Sequence, residues 1–190
     1  MEDKKETKKK KTVLREILEW VLTIVAAVAI ALPIRAFAFE MVRVDGGSMN
    51  STLSNGEIMF VSKFEYASTW LSFPWQDDEA REKAARITTG GNPKRFDVVI
   101  CRYPGRGDTN FVKRVVGLPG DTVAFWRGNL YVNGKRVKEP YVKYISNWNL
   151  RPRRVEPGHF YVVGDNRSQP IHVHKFGQVR ASRIIGAPLF

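Results

Sequence analysis

The sequence contains only one cysteine and three histidines among its 190 residues. With Cys101 alone, an intrachain disulfide is impossible, and no zinc-ligand spacing is present. Acidic residues are also scarce, at 19 Asp and Glu against 31 Lys and Arg, which gives a net charge of +12. That excess suits nucleic acid or an anionic lipid surface as a partner. No nucleic-acid motif accompanies it, so lipid is the favoured partner.

Long hydrophobic runs are equally few, and the only extended one is the charge-free stretch at residues 20–34. A bilayer core takes about 20 helical residues, so this stretch spans it only if Glu19 and Arg35 lie at the two interfaces. We therefore predict one transmembrane helix over residues 14–39, behind a basic tail at residues 1–13 whose charged residues 1–11 are expected to be disordered. The lysines of the tail favour a cytoplasmic N-terminus. The predicted location is the cell membrane, single-pass, with the rest of the chain outside.

A cleavable secretory signal is the alternative interpretation of the same region. A basic start, an apolar middle and the Ala36-Phe37-Ala38 tripeptide are typical of such signals. Arg35 lies between the apolar run and that tripeptide, and strand-like sequence continues beyond it. Both features favour the uncleaved anchor.

Helical periodicity is almost absent after residue 40, and short apolar runs alternate with Gly- and Pro-containing turns. The alternation predicts strands at 37–44, 57–63, 95–103, 110–116, 122–126, 129–132 and 155–163. No repeat or linker divides residues 40–190, which we interpret as one extracytoplasmic domain. The predicted fold class is mostly β, a barrel- or sandwich-like catalytic domain behind one N-terminal transmembrane helix.

Residues 64–94 differ in character from the rest of the domain and are predicted to form an insertion. The insertion contains Trp70, Phe73 and Trp75, followed by a charged run that predicts a short helix near 77–86. The aromatic rings would either meet lipid headgroups or cover the core of the domain itself.

Two glycines end the first predicted strand and place a serine at the turn that follows. Gly46 and Gly47 can adopt positive φ and allow close backbone approach, and Ser48 comes directly after them. A serine at such a turn is exposed, fixed by the scaffold and close to backbone N–H groups that can hold an oxyanion. Ser48 is therefore a candidate nucleophile, and an ordinary Gly-Ser turn is the alternative.

A lysine in a later apolar strand is the candidate base. Alternation in the predicted strand 110–116 puts Phe111, Lys113 and Val115 on one face. A lysine packed among apolar groups loses hydration, which lowers its pKa. Its amine can then take a proton from a serine hydroxyl, as in the serine–lysine variant of nucleophilic catalysis. The alternative is a lysine whose stem packs while its ammonium reaches water.

Taken together, these segments resemble the bacterial type I signal peptidases, which are membrane-anchored serine proteases. The resemblance extends in order over most of residues 14–190. It is carried by Ile34-Arg35-Ala36-Phe37-Ala38-Phe39-Glu40, Gly47-Ser48-Met49-Asn50-Ser51-Thr52-Leu53, Arg95-Phe96-Asp97-Val98-Val99, Val112-Lys113-Arg114-Val115-Val116-Gly117-Leu118-Pro119-Gly120-Asp121, Pro157-Gly158 and Tyr161-Val162-Val163-Gly164-Asp165-Asn166-Arg167. The order and spacing of these motifs make the resemblance specific.

The resemblance implies a serine endopeptidase that removes signal peptides from exported preproteins, with Ser48 as nucleophile and Lys113 as general base. Small residues, typically alanine, would precede the cut by one and three positions. The implied site residues are Gly47 and Ser48 for the oxyanion, Val44, Leu53, Phe111 and Val112 for substrate binding, and Asp165, Arg167 and Ser168 for support. The expected partners are preprotein signal peptides, the lipid bilayer and the protein-export machinery. No cofactor, metal or nucleic acid is expected.

The last motif departs from the family pattern. Pro170 stands where the family has a serine that orients the lysine, His172 where it has aspartate, and Val173 where it has a second serine. Ser168 is the nearby candidate to replace the missing hydroxyl. These departures leave open a catalytically weak or inactive homologue that binds export substrates or an assembly partner.

The histidines near the end of the chain give further alternatives. Alternation would put His172 and His174 on one face, which suits a metal or two solvated side chains. His172 could also act as base in a set with Ser48 and Asp165, as histidine does in eukaryotic relatives. A self-cleaving repressor-type protease shares serine–lysine chemistry, but the predicted membrane segment and the lack of DNA-binding helices argue against it.

Overall fold

The structure is a computed structural model of the chain. It describes residues 2–33, 39–44, 46–63, 66, 91–103, 109–174 and 177–189. Most of the predicted insertion at 64–94, including its aromatic loop and its helix near 77–86, lies outside the described residues. The chain divides into two compact units, residues Met1–Ala38 and Phe39–Phe190.

The first unit contains one helix, α1, which runs over Glu2–Pro33. It begins within the tail that we expected to be disordered, and that expectation is wrong because Lys and Glu both favour helix. It ends at the proline, which cannot continue a helix. Across the described part of the chain, no helix combines the length and apolar character that crossing a bilayer requires. The anchor predicted over residues 14–39 is unconfirmed.

Within the described residues, the second unit consists of eleven strands in two antiparallel sheets. The strands are β1 (Phe39–Arg43), β2 (Ile58–Ser62), β3 (Val98–Cys101), β4 (Phe111–Gly117), β5 (Thr122–Trp126), β6 (Asn129–Val132), β7 (Lys135–Arg136), β8 (Leu150–Arg154), β9 (His159–Val163), β10 (Gln178–Arg180) and β11 (Ile184–Pro188). The larger sheet has the order β1-β2-β11-β3-β4-β9-β10, and the smaller sheet has the order β7-β6-β5-β8. The predicted mostly β class is confirmed.

Most of the predicted strands are present, with shifted ends. β5 and β6 match the predictions at 122–126 and 129–132. Both turns that flank β6 use left-handed backbone, with φ of +47° at Arg127 and +53° at Asn133, which suits two-residue hairpins. β8 was not predicted, because three arginines and Pro152 give it no apolar alternation. It lies at the edge of the smaller sheet, where proline and charge are tolerated.

Two expectations about the C-terminal third are wrong. The strand predicted at 155–163 shortens to β9, because Gly158 turns the chain with φ of +72°. The extended segment expected to carry two histidines is instead a helical turn, α2 (Ile171–His174), since a proline precedes it. His172 and His174 therefore do not share a face: His172 is exposed and His174 is buried.

The core lies on both faces of the larger sheet. Alternate residues of β3 enter different buried clusters, Val98 and Ile100 on one side, and Val99 and Cys101 on the other. A strand buried on both faces is typical of the middle of a sheet. The neighbouring strand β4 is buried in the same way, and this burial surrounds the side chain of Lys113.

Candidate active site

The candidate nucleophile and the candidate base meet in the structure. The Nζ of Lys113 donates a hydrogen bond to the Oγ of Ser48 over 2.7 Å. Lys113 belongs to β4 in the middle of the larger sheet, and Ser48 belongs to the loop between β1 and β2. The sheet fixes the lysine, so the position of the serine depends on how its turn is held.

The turn that carries Ser48 is anchored in the apolar core. Met49 is 1% exposed and Leu53 is 3% exposed, and both join the buried cluster that includes β1 and β2 residues. The N–H of Leu53 donates to the carbonyl of Met49 over 2.8 Å and closes a helical turn. On the other side of the serine, Gly46 adopts φ of +90° and donates its N–H to the Oδ1 of Asn55 over 2.9 Å.

The segment after β9 holds the serine turn from a second direction. The N–H of Asn166 donates to the carbonyl of Ser48, and its Nδ2 donates to the carbonyl of Gly47, each over 2.9 Å. Gly164 packs so closely that a Cβ there would lie 2.3 Å from the carbonyl oxygen of Ser48. Only glycine leaves room for that approach. Asn166 lies in the last motif, but no signal in the sequence marked it as a residue of the site.

The backbone N–H of Ser48 stays available. Within the part of the chain that the structure describes, no acceptor takes this N–H, while the carbonyls of Gly47 and Ser48 are both occupied by Asn166. A half-buried N–H with no internal partner is the kind of donor that an oxyanion site requires.

Burial gives Lys113 its unusual acidity. The residue is 3% exposed and stands opposite Val99 in the sheet register. Loss of hydration lowers the pKa of Lys113 from 10.5 to about 8, while the nearby Cys101 and Asp165 oppose the fall. Burial raises the pKa of the Cys101 thiol to about 12, so that thiol is neutral when Lys113 titrates. Of these two neighbours, Asp165 is therefore the one that carries a charge.

Asp165 organises a buried network beside the pair rather than contacting Lys113. Its two carboxylate oxygens accept from the Nε and the Nη2 of Arg114 over 2.8 and 2.6 Å. The hydroxyl of Thr52 also donates to this carboxylate over 2.5 Å, and the Nη1 of Arg114 donates to the carbonyl of Phe96 over 2.7 Å. A bidentate pair of this kind is strong and directional. It ties β4, the serine turn and the last motif together.

Arg167 holds the same loop from within the core. The residue is fully buried, its Nε donates to the carbonyl of Gly164 over 2.9 Å, and its Nη1 pairs with the Oε2 of Glu139 over 2.8 Å. The indole N–H of Trp148 donates to the carbonyl of Arg167 over 2.8 Å. The predicted support residues Asp165 and Arg167 thus act on the loop that contacts the serine turn.

Neither Ser168, the suggested substitute for the missing family serine, nor the carbonyl of Pro170 forms a hydrogen bond with Lys113 among the described contacts. The hydroxyl of Ser168 donates to the Oδ1 of Asn166 over 2.5 Å, and the carbonyl of Pro170 accepts the N–H of Val173 over 2.9 Å. Among the described residues, Lys113 makes its side-chain hydrogen bond to Ser48 and no second one.

The histidine alternatives find no support in this geometry. His172 is exposed, while the ring of His174 is buried against Trp148 with centroids 5.1 Å apart. Burial, together with the charges of Lys113 and Arg167, lowers the pKa of His174 to about 4. In the described ranges, no group of three or more His, Cys, Asp or Glu residues could hold a metal ion.

The four predicted substrate-binding residues separate into two places. Val44, Leu53 and Val112 belong to one buried cluster beneath the serine turn, with 3%, 3% and 7% exposed. Phe111 packs against the other face, with its ring 5.2 Å from that of Tyr103. The open cavity in this region measures about 400 Å³ and is polar, lined by Asn50, Ser54, Asn55, Tyr144, Asn166 and Ser168.

Comparison with known proteins agrees with the motifs. The family described as "Signal peptidase, peptidase S26" matches residues 17–190. Signal peptidase I of Bacillus licheniformis is 34% identical over 203 residues, covering 100% of this chain and 94% of that protein. Signal peptidase I T of Bacillus subtilis (strain 168) is 34% identical over 198 residues, covering 97% and 88%. A crystal structure of a signal peptidase I from Enterococcus faecalis V583 has 28% identity and a TM-score of 0.44, covering 51% of this chain and 97% of that chain.

Proposed function

The chain belongs to the signal peptidase family, peptidase S26, and from this premise we propose that it removes N-terminal signal peptides from exported preproteins with Ser48 and Lys113. The observation that carries the assignment of these two residues is the 2.7 Å hydrogen bond between them. The burial that lowers the pKa of Lys113 to about 8 supports it further. A lysine of that pKa has a substantial amine fraction near neutral pH, as a general base requires.

The reaction we propose is acyl transfer through a covalent intermediate. The amine of Lys113 takes the proton of the Ser48 hydroxyl as the Oγ attacks the scissile carbonyl. The resulting ammonium gives its proton to the departing amine of the mature protein, and an acyl-enzyme remains on Ser48. Water then attacks this ester while Lys113 accepts its proton, and Lys113 passes that proton to the departing Oγ of Ser48, which releases the signal peptide and restores the serine.

The oxyanion would be held by backbone groups. The N–H of Ser48, which no described residue accepts, is our first donor and the N–H of Gly47 is the second, as in the sequence-based prediction. Asn166 supports this role because it holds the carbonyls of both residues. One donor of this kind contributes on the order of 10²–10³ to the rate.

We further propose that the substrate binds as an added strand. β1 lies at the edge of the larger sheet, and an edge strand offers unpaired backbone groups to an extended peptide. Val44, Leu53 and Val112 are too deeply buried to line a deep pocket. A shallow floor made by such residues fits small side chains, such as the alanines of an Ala-X-Ala site.

The membrane location is part of the same proposal. Large apolar side chains of α1 such as Val21, Leu22 and Ile24 are 49%, 58% and 59% exposed, which is unfavourable for a helix in water. We propose that residues 14–39 anchor the chain in the cell membrane, with the N-terminus in the cytoplasm and the catalytic unit outside. Signal peptides and the export machinery that delivers them would meet the enzyme there.

The test is cleavage of a preprotein with an Ala-X-Ala site by the purified full chain in mild detergent. We expect one cut after the second alanine, and no cut by Ser48→Ala, Lys113→Ala or Lys113→Arg, since guanidinium cannot deprotonate near neutral pH. Ser146→Ala and Lys94→Ala remove the same side-chain types elsewhere and should cleave normally. Cleavage by a folded Ser48→Ala protein, or none by the unaltered chain, would contradict the proposal.

A further inference from the structure

The positive charge of the second unit is concentrated on the smaller sheet. Residues 122–155 contain eight Lys and Arg and one acidic residue, a net charge of +7, out of +9 for residues 40–190. The eight basic residues are Arg127, Lys135, Arg136, Lys138, Lys143, Arg151, Arg153 and Arg154. Every one of them is exposed. The rest of the unit is close to electrically neutral.

The one acidic residue of this region cannot offset that charge. Glu139 has a side chain that is 7% exposed and is paired with the buried Arg167. It also accepts from the hydroxyl of Tyr141 over 2.6 Å. In the described portion of the chain, none of the eight exposed basic residues forms an ion pair. The positive electrostatic potential of these eight side chains therefore extends into the solvent.

Exposed apolar side chains accompany these charges at one end of the smaller sheet. Trp126 is 58% exposed and Ile145 is 60% exposed. The Cγ2 of Ile145 would lie 2.9 Å from a Cβ at Gly128, so it packs on the turn directly after β5, which ends at Trp126. The N–H of Gly128 donates to the carbonyl of Trp148 over 3.0 Å and fixes this arrangement.

A cavity lies within the same surface. It measures about 470 Å³, and its lining combines the basic side chains of Arg136 and Lys138 with the apolar side chains of Val137, Val142 and Ile145. Glu139 also lines it, but its carboxylate is paired with Arg167. Two cations beside apolar walls suit a ligand that is anionic at one end and apolar at the other.

We propose that this surface docks on an anionic phospholipid bilayer, with headgroup phosphates near Arg136 and Lys138 and with Trp126 and Ile145 at headgroup depth. We call it the basic face, and it comprises Trp126, Arg127, Arg136, Lys138 and Ile145, with Arg151 of the adjoining strand β8. Exposed tryptophan among cations is the chemistry of the membrane interface. An acidic protein would match the charge but would leave the exposed indole unexplained. The proposal does not depend on the catalytic roles of Ser48 and Lys113.

The test follows a fluorophore at the edge of the basic face. Asn147→Cys places an exposed thiol two residues from Ile145, and Cys101 is fully buried, so an environment-sensitive thiol label attaches at position 147. The labelled full chain is diluted from mild detergent into vesicles of phosphatidylcholine, with or without phosphatidylglycerol. We expect a blue-shifted emission only with phosphatidylglycerol, and a smaller shift at high salt. Insertion of α1 into both vesicles would not by itself produce that difference.

Charge removal tests whether the basic face is responsible. The triple variant Arg136→Gln, Lys138→Gln, Arg151→Gln should lower the docking equilibrium about 100-fold, since each charge contributes about fivefold near an anionic surface. The matched triple Arg43→Gln, Lys94→Gln, Arg180→Gln removes the same charge elsewhere and should dock normally.

Three results would overturn the proposal. The first is an emission wavelength of the label at position 147 that is the same in vesicles with and without phosphatidylglycerol. The second is an equal loss of docking in the two triple variants, which would mean that net charge and not this surface matters. The third is binding of soluble polyphosphate without any shift in vesicles, which would identify a soluble polyanion as the partner.

Discussion

Replacing Lys113 with methionine should inactivate the protein and stabilise its fold at neutral pH. Burial lowers the pKa of Lys113 from 10.5 to about 8, so the unfolded chain binds this proton more tightly than the folded chain. That difference corresponds to about 3 kcal/mol. The loss of folding stability caused by burying the charged lysine is absent above pH 10.5, grows as the pH falls, and is complete below pH 8. Methionine fits the same apolar surroundings without the charge and loses only the hydrogen bond to Ser48.

We expect Lys113→Met to gain 1–3 kcal/mol in free energy of unfolding at pH 7, after allowing about 1 kcal/mol for the lost hydrogen bond. Urea unfolding of the full chain in mild detergent measures it, and the gain should shrink as the pH rises towards 10. Lys94→Met, at an exposed position, is the control and should change little. A loss of stability at pH 7, or a gain that is independent of pH, would show that burial does not lower the pKa of Lys113. It would also exclude the neutral amine of Lys113 as the base.

Three other substitutions test the surroundings of the pair. Gly164→Ala should lower cleavage by roughly 10²-fold, because its Cβ would lie 2.3 Å from the carbonyl oxygen of Ser48 and must displace the turn; normal kcat/KM would show that the turn is not held there. Asp165→Ala leaves the charge of Arg114 buried and unpaired, so urea unfolding should show a loss of about 3 kcal/mol, and a loss below about 1 kcal/mol would contradict it. Pro170→Ser restores the hydroxyl of the family and should speed single-turnover acylation; an unchanged rate would mean that the base is already well held.

The sequence singled out Ser48 and Lys113, whose side chains are hydrogen-bonded in the structure, and it predicted most of the strands, because local signals mark these features. Gly46 and Gly47 indicate a turn, and the apolar neighbours of Lys113 indicate that its side chain is buried. β5 and β6 were predicted with the correct ends because one two-residue turn joins them and another joins β6 to β7. Signals of this kind lie within a few residues of the feature that they predict.

The supporting network could not be predicted in the same way. The hydrogen bond from Thr52 to Asp165 joins residues 113 positions apart, and no local pattern says which residue a buried carboxylate will meet. The arginine-rich strand β8 was missed because edge position, not apolar alternation, permits it. The burial of His174 was missed because a helical turn replaced the expected strand and changed the direction of the side chain.

The pH dependence of acylation at Ser48 is the sharpest test of whether Lys113 acts as its general base. Single-turnover reactions of the full chain with an excess of enzyme over a preprotein give the acylation rate, and mass spectrometry locates the acyl group on Ser48. With Lys113 as the base and its pKa at about 8, the rate should rise about tenfold per pH unit below pH 8 and level off above it. An inflection near pH 6.5, or the same pH profile in Lys113→Ala, would contradict the account.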